Sequence, residues 1–168
     1  MPTNIEIKAR AEDFAGQRAR AKILADKVEH LVQEDTFFAC VNGRLKLRDL
    51  GAGREGYLVF YKRDDQAGPK RSIFEMSPVK DPATMRALLA QSLGVGKTVR
   101  KKRTVLLSGQ TRLHFDEVED LGRFIEIEVC LKPGQDEREG TLIAQDFMRR
   151  LGIDASALVE TAYADMLP

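Results

Sequence analysis

Gly43-Arg44-Leu45-Lys46-Leu47-Arg48 places a cation on every second residue, with leucines between them. In a β-strand successive side chains point to opposite faces, so Arg44, Lys46 and Arg48 line one face and Leu45 and Leu47 the other. One such strand is ordinary, because a half-buried strand turns its leucines to the core and its charges to water. Here the pattern recurs. Asn4 to Arg10 sets Ile5 and Ile7 against Asn4, Glu6 and Lys8. Val99 to Leu107 carries Lys101 and Arg103 on one face. Thr111 to Val118 sets Arg112, His114 and Asp116 opposite Leu113 and Phe115, and Gly122 to Leu131 sets Phe124, Glu126, Glu128 and Cys130 opposite Ile125, Ile127, Val129 and Leu131. The polar faces are built almost wholly of Arg, Lys, Glu and Asp, where an ordinary solvated face mixes in Ser, Thr and Gln.

The remaining elements follow by pattern. Glu34 to Phe38 reads as a short aromatic strand, and Asn42-Gly43 as a turn, since Asn-Gly favours positive φ. Gly56 to Arg63 is a strand apolar on both faces until its end, which leaves Lys62 and Arg63 competing for the inward position. Asp64 to Lys70 reads as a loop and Arg71 to Met76 as the fifth strand. A helix is expected over Ala11 to Lys27 with Asp13 as N-cap, and a second begins at Asp81-Pro82, an N-cap followed by proline at the first helical position. Its stripe is Met85, Leu88, Leu89 and Leu93, and Gly94 ends it. A third runs from Asp136 to Leu151 with Ile143, Phe147 and Leu151 on one side, and a short helix closes the chain.

Eight strands this close in sequence leave no room for parallel crossovers, which need a dozen or more residues each, so the sheet is expected to be antiparallel. The helices then cover the apolar faces and the charged faces turn inward. The fold class implied is α+β: an eight-stranded antiparallel barrel, closed on itself, with helices outside and space within for about one small ligand. The alternative is an open sheet whose charges face solvent. Unpaired buried charges cost several kcal/mol each, so a charged lumen has to hold water, counter-charges or a polyanion.

Composition sets outer bounds. The chain has 168 residues, read as one domain over residues 1–168, with net charge +1 from 27 basic and 26 acidic residues. That balance argues against nucleic acid as a partner. Cys40 and Cys130 lack metal-site spacing and read as free thiols. The chain has no signal-peptide apolar region and no apolar run near 18 residues, so the expectation is a cytoplasmic protein with no membrane segment.

The charges are also sorted. Acids gather on the first and last strands (Glu6, Glu126, Glu128, with Asp116 beside them), and bases on the middle ones (Arg44, Lys46, Arg48, Arg71, Lys101, Arg103). Several carboxylates suit Mg²⁺ or Mn²⁺, which prefer oxygen ligands. A run of cations suits a chain of phosphates, Arg as a bidentate donor and Lys as a point charge. Metal plus phosphate cradle is the layout of phosphoryl or nucleotidyl transfer. His114 is either a ligand contact or a hydrogen-bonded structural residue, and Tyr163 either closes one mouth or packs. Gly94-Val-Gly-Lys-Thr98 lacks the spacing of a phosphate-binding loop and follows a helix, so it is set aside.

Asn4-Ile-Glu-Ile-Lys8 resembles the Glu-x-Glu-x-Lys signature of the CYTH superfamily, the triphosphate tunnel metalloenzymes, which includes class IV adenylyl cyclases, thiamine triphosphatases and inorganic triphosphatases. Matching stretches follow in order: Gln33-Glu-Asp-Thr-Phe-Phe38, Gly43 to Arg48, Lys101-Lys-Arg103, Asp116-Glu-Val-Glu-Asp-Leu-Gly-Arg-Phe-Ile-Glu-Ile-Glu128, and Ala162-Tyr163-Ala-Asp-Met-Leu167, similar to a closing Ser-Tyr-x-x-Leu-Leu. The chain departs from the signature at Asn4, where the first acid becomes a neutral amide. The resemblance implies an eight-stranded tunnel holding triphosphate and Mg²⁺ or Mn²⁺. It implies Glu6, Asp116, Glu126 and Glu128 on the metal side. Lys8, Arg44, Lys46, Arg48, Arg63, Arg71, Lys101, Arg103 and Arg112 would hold phosphates, with Lys8 and Arg103 also catalytic. Arg63 is taken over Lys62 on the resemblance alone. The activity implied first is class IV adenylyl cyclase-like, ATP to cyclic AMP and pyrophosphate. Second is a triphosphatase acting on thiamine triphosphate or inorganic tripolyphosphate, and third a binding module impaired by Asn4. The assembly expected is a monomer or homodimer.

Overall fold

A computed structural model describes residues 1–168. The strands are β1 (Thr3–Arg10), β2 (Lys27–Phe38), β3 (Arg44–Asp49), β4 (Gly56–Arg63), β5 (Lys70–Val79), β6 (Val95–Ser108), β7 (Thr111–Val118) and β8 (Gly122–Cys130). The helices are α1 (Phe14–Leu24), α2 (Pro82–Leu93), α3 (Glu137–Arg150) and the short α4 (Tyr163–Met166). The strands form a closed barrel in the order β1-β5-β4-β3-β2-β6-β7-β8. β1 closes it, pairing antiparallel with β5 on one edge and β8 on the other, so that Glu6 stands opposite both Lys70 and Glu128. Every neighbouring pair is antiparallel. No helix is long and apolar enough to cross a membrane.

The apolar faces lie outward beneath helices, as the alternation requires. Ile5, Ile7, Leu113, Phe115, Ile127 and Val129 belong to one core cluster that also takes Phe14 and Ala21 from α1 and Ala144 from α3. α3 sits close on β1: a Cβ on Gly140 would stand 2.5 Å from Leu131 Cδ2 and 2.8 Å from Ile5 Cγ1. α2 covers Leu47 with Met85 and Leu89. Only half of the expected α2 stripe is used, since Leu88 and Leu93 are exposed.

Three boundaries differ from the sequence pattern for one reason. α1 stops at Leu24, and Ala25 is already extended. Lys27 to Gln33, expected to finish a helix and a loop, pairs residue by residue with β6, from Lys27 opposite Leu107 to Gln33 opposite Lys101. β5 likewise gains Lys70 and runs on to Val79, and β6 begins at Val95. In each case a partner strand supplies hydrogen bonds that satisfy the extended backbone, overriding weak local preference. Gly94, at φ 76°, ends α2 and turns the chain into β6.

After α3 a 3₁₀ turn (Ala155–Ala157) leads the chain across one end of the barrel. There Val159 N–H donates to Lys8 O at 2.9 Å, and Tyr163, buried, joins Val99, Val118 and Phe124 in an apolar cluster.

Candidate active site

The inward faces enclose a cavity of about 400 Å³. Eight cations line it (Lys8, Lys46, Arg48, Arg63, Lys70, Lys101, Arg103, Arg112) against five carboxylates (Glu6, Glu29, Asp35, Glu126, Glu128). A lumen with this excess of positive charge attracts an anion.

Each cation is held in place by a specific partner. Asp35, 2% exposed, accepts from Lys46 Nζ at 2.9 Å and from Arg48 Nε and Nη2 at 2.9 Å each. Burial alone would raise the Asp35 carboxyl, but Arg48 and Lys46 outweigh it and hold it well below the usual carboxylate range. Asp116 accepts from Arg103 Nε at 2.7 Å and Nη2 at 2.6 Å, and from the Tyr163 hydroxyl at 2.8 Å. Arg103 Nη2 also reaches Glu126 Oε2 at 2.7 Å, and Glu126 stands 3.4 Å from Lys8 Nζ. Burial pushes Lys8 and Lys46 each down to about 8, against the pull of Glu126 and Asp35 respectively.

The structure thus brings Glu6, Lys8, Lys46, Arg48, Arg63, Lys101, Arg103, Arg112, Glu126 and Glu128 to one cavity. Arg63 faces in, with Nη1 donating to Glu6 at 3.2 Å, and Lys62 is exposed. Arg44 stands on the same face at the end crossed by the C-terminal segment, where it makes two bonds to Asp165, at 3.0 and 2.6 Å.

Two expectations fail on geometry. Arg71 points away from the lumen and pairs at 2.9 Å with Glu137 of α3, because the β1–β5 register sets it opposite the outward Ile5 and sets Lys70 opposite the inward Glu6. Asp116 is not open to a metal: it is fully buried, and its oxygens are taken by Arg103, Tyr163 and, at 3.6 Å, Lys101. Its place here is to fix Arg103. Three inward residues escaped the sequence pattern: Asp35, Lys70 and Gln33. Lys70 Nζ donates to the carbonyls of Gln66, Val159 and Glu160 at 2.9, 3.2 and 2.9 Å, tying down the C-terminal segment. The β2–β6 register, once known, finds Gln33 and Asp35, since it puts them on the face that carries Leu31 and Phe37.

The sequence profile of the CYTH domain matches residues 2–163. The chain belongs to the CYTH family. No curated protein matches it by sequence. Among solved structures, this CYTH domain is similar to a protein from Pyrococcus horikoshii at TM-score 0.87 and 23% identity, over 98% of this chain and 99% of that one. An adenylate cyclase candidate from Vibrio parahaemolyticus follows at TM-score 0.79 and 12% identity, covering 97% and 96%. A Hippeastrum protein described as an adenylyl cyclase candidate with dominant triphosphatase activity aligns at TM-score 0.62 and 18% identity, covering 96% and 91%. At these identities the likeness is one of fold.

The carboxylates of this CYTH domain suit a divalent cation bound together with a polyanion. No group of three or more His, Cys, Asp or Glu side chains is gathered to hold a metal by itself. Yet Glu6 faces Glu128 across the β1–β8 ladder, and the Glu6 carboxyl is raised by burial first and by Glu128 next. Glu128 Oε2 is buried without a hydrogen bond, 3.5 Å from Arg112 Nη1. Two carboxylates pressed together, one of them unsatisfied, fit Mg²⁺ or Mn²⁺, which takes one or two carboxylates and fills its sphere with water and phosphate oxygens. Asn4, buried on the same face two residues before Glu6, offers an amide where the family signature has an acid.

Proposed function

We propose that this CYTH protein is a divalent-metal-dependent enzyme acting on a triphosphate held inside the barrel, with class IV adenylyl cyclase-like chemistry, ATP to cyclic AMP and pyrophosphate, as the first reading. The observation that carries the triphosphate assignment is Arg63: its Nε and Nη2 are buried in the lumen wall with no acceptor. Leaving such donors unpaired costs free energy that an incoming phosphate oxygen removes. Around it, Lys46 and Arg48 locked on Asp35, and Arg103 locked on Asp116 and Glu126, offer preset positive charge, so little reorganisation accompanies charge development on the phosphates.

Glu6 and Glu128 are the residues that would hold the metal, which would supply neutralisation of phosphate charge, and Glu126, engaged by Arg103 and Lys8 as Asp116 is by Arg103, would join them only by exchanging those partners. Lys8, flanked by Glu126 and Lys101, and Arg103, at the meeting of two carboxylates, would stabilise the oxygens that gain charge as the P–O bond breaks. In the cyclase reading the 3′-hydroxyl oxygen bonds to the α-phosphorus, the bond to the β-phosphate oxygen breaks, and pyrophosphate leaves. In the triphosphatase reading, favoured by the activity described for the Hippeastrum relative, the oxygen of water bonds to the γ-phosphorus, the bond from that phosphorus to the β-phosphate oxygen breaks, the diphosphate leaves, and the γ-phosphoryl group is released as orthophosphate.

Product analysis with ATP, thiamine triphosphate and tripolyphosphate, each with Mg²⁺ or Mn²⁺, tests this. Cyclic AMP with pyrophosphate establishes the cyclase, and orthophosphate the triphosphatase. Saturable binding with no product from any of the three identifies a binding module in which Asn4 has removed catalysis. Neither binding nor product overturns the proposal.

A further inference from the structure

The barrel has a second cavity, on its outside. α1 packs Phe14 and Ala21 over Leu106, Leu113 and Phe115 and leaves the outer face of β2 bare, with Val28 41% and Val32 67% exposed. Between α1 and that face lies a cleft of about 270 Å³. Strand pairing sets its floor in two rows: His30, Thr104 and Phe115 in one, and Val32, Lys102 and Glu117 in the next. Phe14 and Arg18, one turn apart on α1, form the facing wall. Thr104 is buried at the bottom, its hydroxyl 3.1 Å from His30 Nδ1.

Two features distinguish this cleft from a packing gap. The first is charge. Arg18, half-buried with its guanidinium 5.3 Å from the Phe14 ring centre, and the exposed Lys102 have no carboxylate within 4.0 Å. The acids beside them are already engaged, Glu117 by Arg123 at 3.2 Å and Asp13 by Arg20 at 3.8 Å. Two cations without a counter-charge, set against Phe14, Phe115 and Val32, suit an anion with an apolar body. The volume falls just below the roughly 300 Å³ at which pockets for drug-sized ligands begin, which limits that body to a single ring. The second feature is position. Leu31 and Arg103 line this cleft and the lumen alike. Arg103 turns its side chain inward to Asp116 and Glu126, so its backbone is what faces the cleft, and one layer of sheet separates the two cavities.

We infer that this outer cleft is a regulatory site for a small molecule carrying one apolar ring and one anionic group: the ring lies against Phe14, Phe115 and Val32, and the anion between Arg18 and Lys102. Its occupant bears on the stretch of β6 that carries Arg103, and so alters the grip of the lumen on a polyanion. The cleft stands on its own residues. Its coupling to the lumen rests on the lumen being the triphosphate site.

Amide NMR titrations of the intact protein with phenyl phosphate, benzoate and inorganic phosphate test both parts. At least one of the two ring-bearing anions is expected to shift the amides about Arg18 and Lys102 saturably, and which of them does so identifies the anionic group. Inorganic phosphate, which lacks the ring, should leave the Arg18 amide in place. Arg18→Ala with Lys102→Ala should weaken the ring-bearing anion about tenfold or more, as loss of two charged donors does, whereas Arg63→Ala in the lumen should leave it within about twofold. Val32→Glu, at an exposed position, should weaken it by repulsion without touching the core. With the cleft saturated, the Kd for tripolyphosphate should change at least about fivefold, and tripolyphosphate should change the affinity of the cleft by the same factor. No saturable shift, or binding lost in Arg63→Ala and kept in the Arg18 and Lys102 double variant, overturns the site. Binding in the cleft that leaves tripolyphosphate affinity unchanged overturns the regulation. If tripolyphosphate does not bind the unaltered protein, the lumen reading fails and the coupling with it, while the ring-bearing anions still decide the cleft.

Discussion

At the scale of single residues, the site works by setting charges against one another at fixed distances. Glu128 is the sharpest instance, facing Glu6 across the ladder with an unsatisfied buried oxygen. Glu128→Gln keeps the shape and removes the charge that a metal needs. Turnover should fall at least about tenfold, roughly 1.4 kcal/mol of transition-state stabilisation, with partial recovery at high Mn²⁺. Activity assays across a metal series check this, and an unchanged metal dependence refutes it. Lys8 and Lys46 give a pH signature. Both are lowered from 10.5 to about 8 in the folded protein, so between about 8 and 10.5 the unfolded chain binds more protons and their contribution raises stability as pH rises. Polyanion binding needs the charged form and should weaken over that same window. Denaturant melts and tripolyphosphate titrations from pH 7 to 10 should therefore move in opposite senses, and a parallel decline counts against these two lysines.

Among the elements, α3 and the C-terminal segment do different work. α3 closes the outer core over β1 and β8, and its approach depends on Gly140, where a methyl would meet Leu131 at 2.5 Å and Ile5 at 2.8 Å. Gly140→Ala gains helix propensity yet overpacks this contact. A net loss of about 2 kcal/mol is expected, seen as a lower urea midpoint at unchanged slope. A midpoint equal to or above that of the parent would show that α3 shifts freely. The C-terminal segment is held from inside the barrel, by Lys70 on its carbonyls, Tyr163 on Asp116 and Lys8 Nζ on the Thr161 carbonyl at 3.2 Å. Some of the lumen's cations therefore hold the protein's own backbone and are not free for ligand.

For the whole molecule, near-neutral net charge conceals a strongly cationic interior. Filling it with a polyanion should relieve repulsion and stabilise the fold by mass action: at ligand near 100 times Kd, about 2.7 kcal/mol, a rise in Tm of roughly 5–10 °C for a chain of this size. Differential scanning fluorimetry with tripolyphosphate or ATP and Mg²⁺ checks this. Arg71→Ala, outside the barrel, should leave the rise intact, and Arg63→Ala should diminish it. No rise with either ligand at millimolar concentration would contradict a polyanion site in the lumen.

The period-two alternation of Arg44 to Arg48, Asn4 to Lys8 and Phe124 to Cys130 was enough by itself to set strand faces. With strand spacing too short for crossovers, it was also enough to imply a closed antiparallel barrel, because alternation is a local property of each strand. Which charges enter the lumen depended on the register in which each strand pairs, and that is settled between strands. Lys70 and not Arg71 faces in because β5 pairs with β1 in the register that sets Lys70 opposite the inward Glu6 and Arg71 opposite the outward Ile5. Asp35 faces in because the β2–β3 register sets it opposite the inward Arg48, and Gln33 because β6 draws Lys27 to Gln33 into the sheet with Gln33 opposite the inward Lys101. That Asp116 serves Arg103 and Tyr163, and that one end of the barrel is crossed by the chain's own C-terminal segment, follow from contacts between residues 47 and more positions apart. No local pattern encodes those distances; only the folded chain brings them to hydrogen-bonding range.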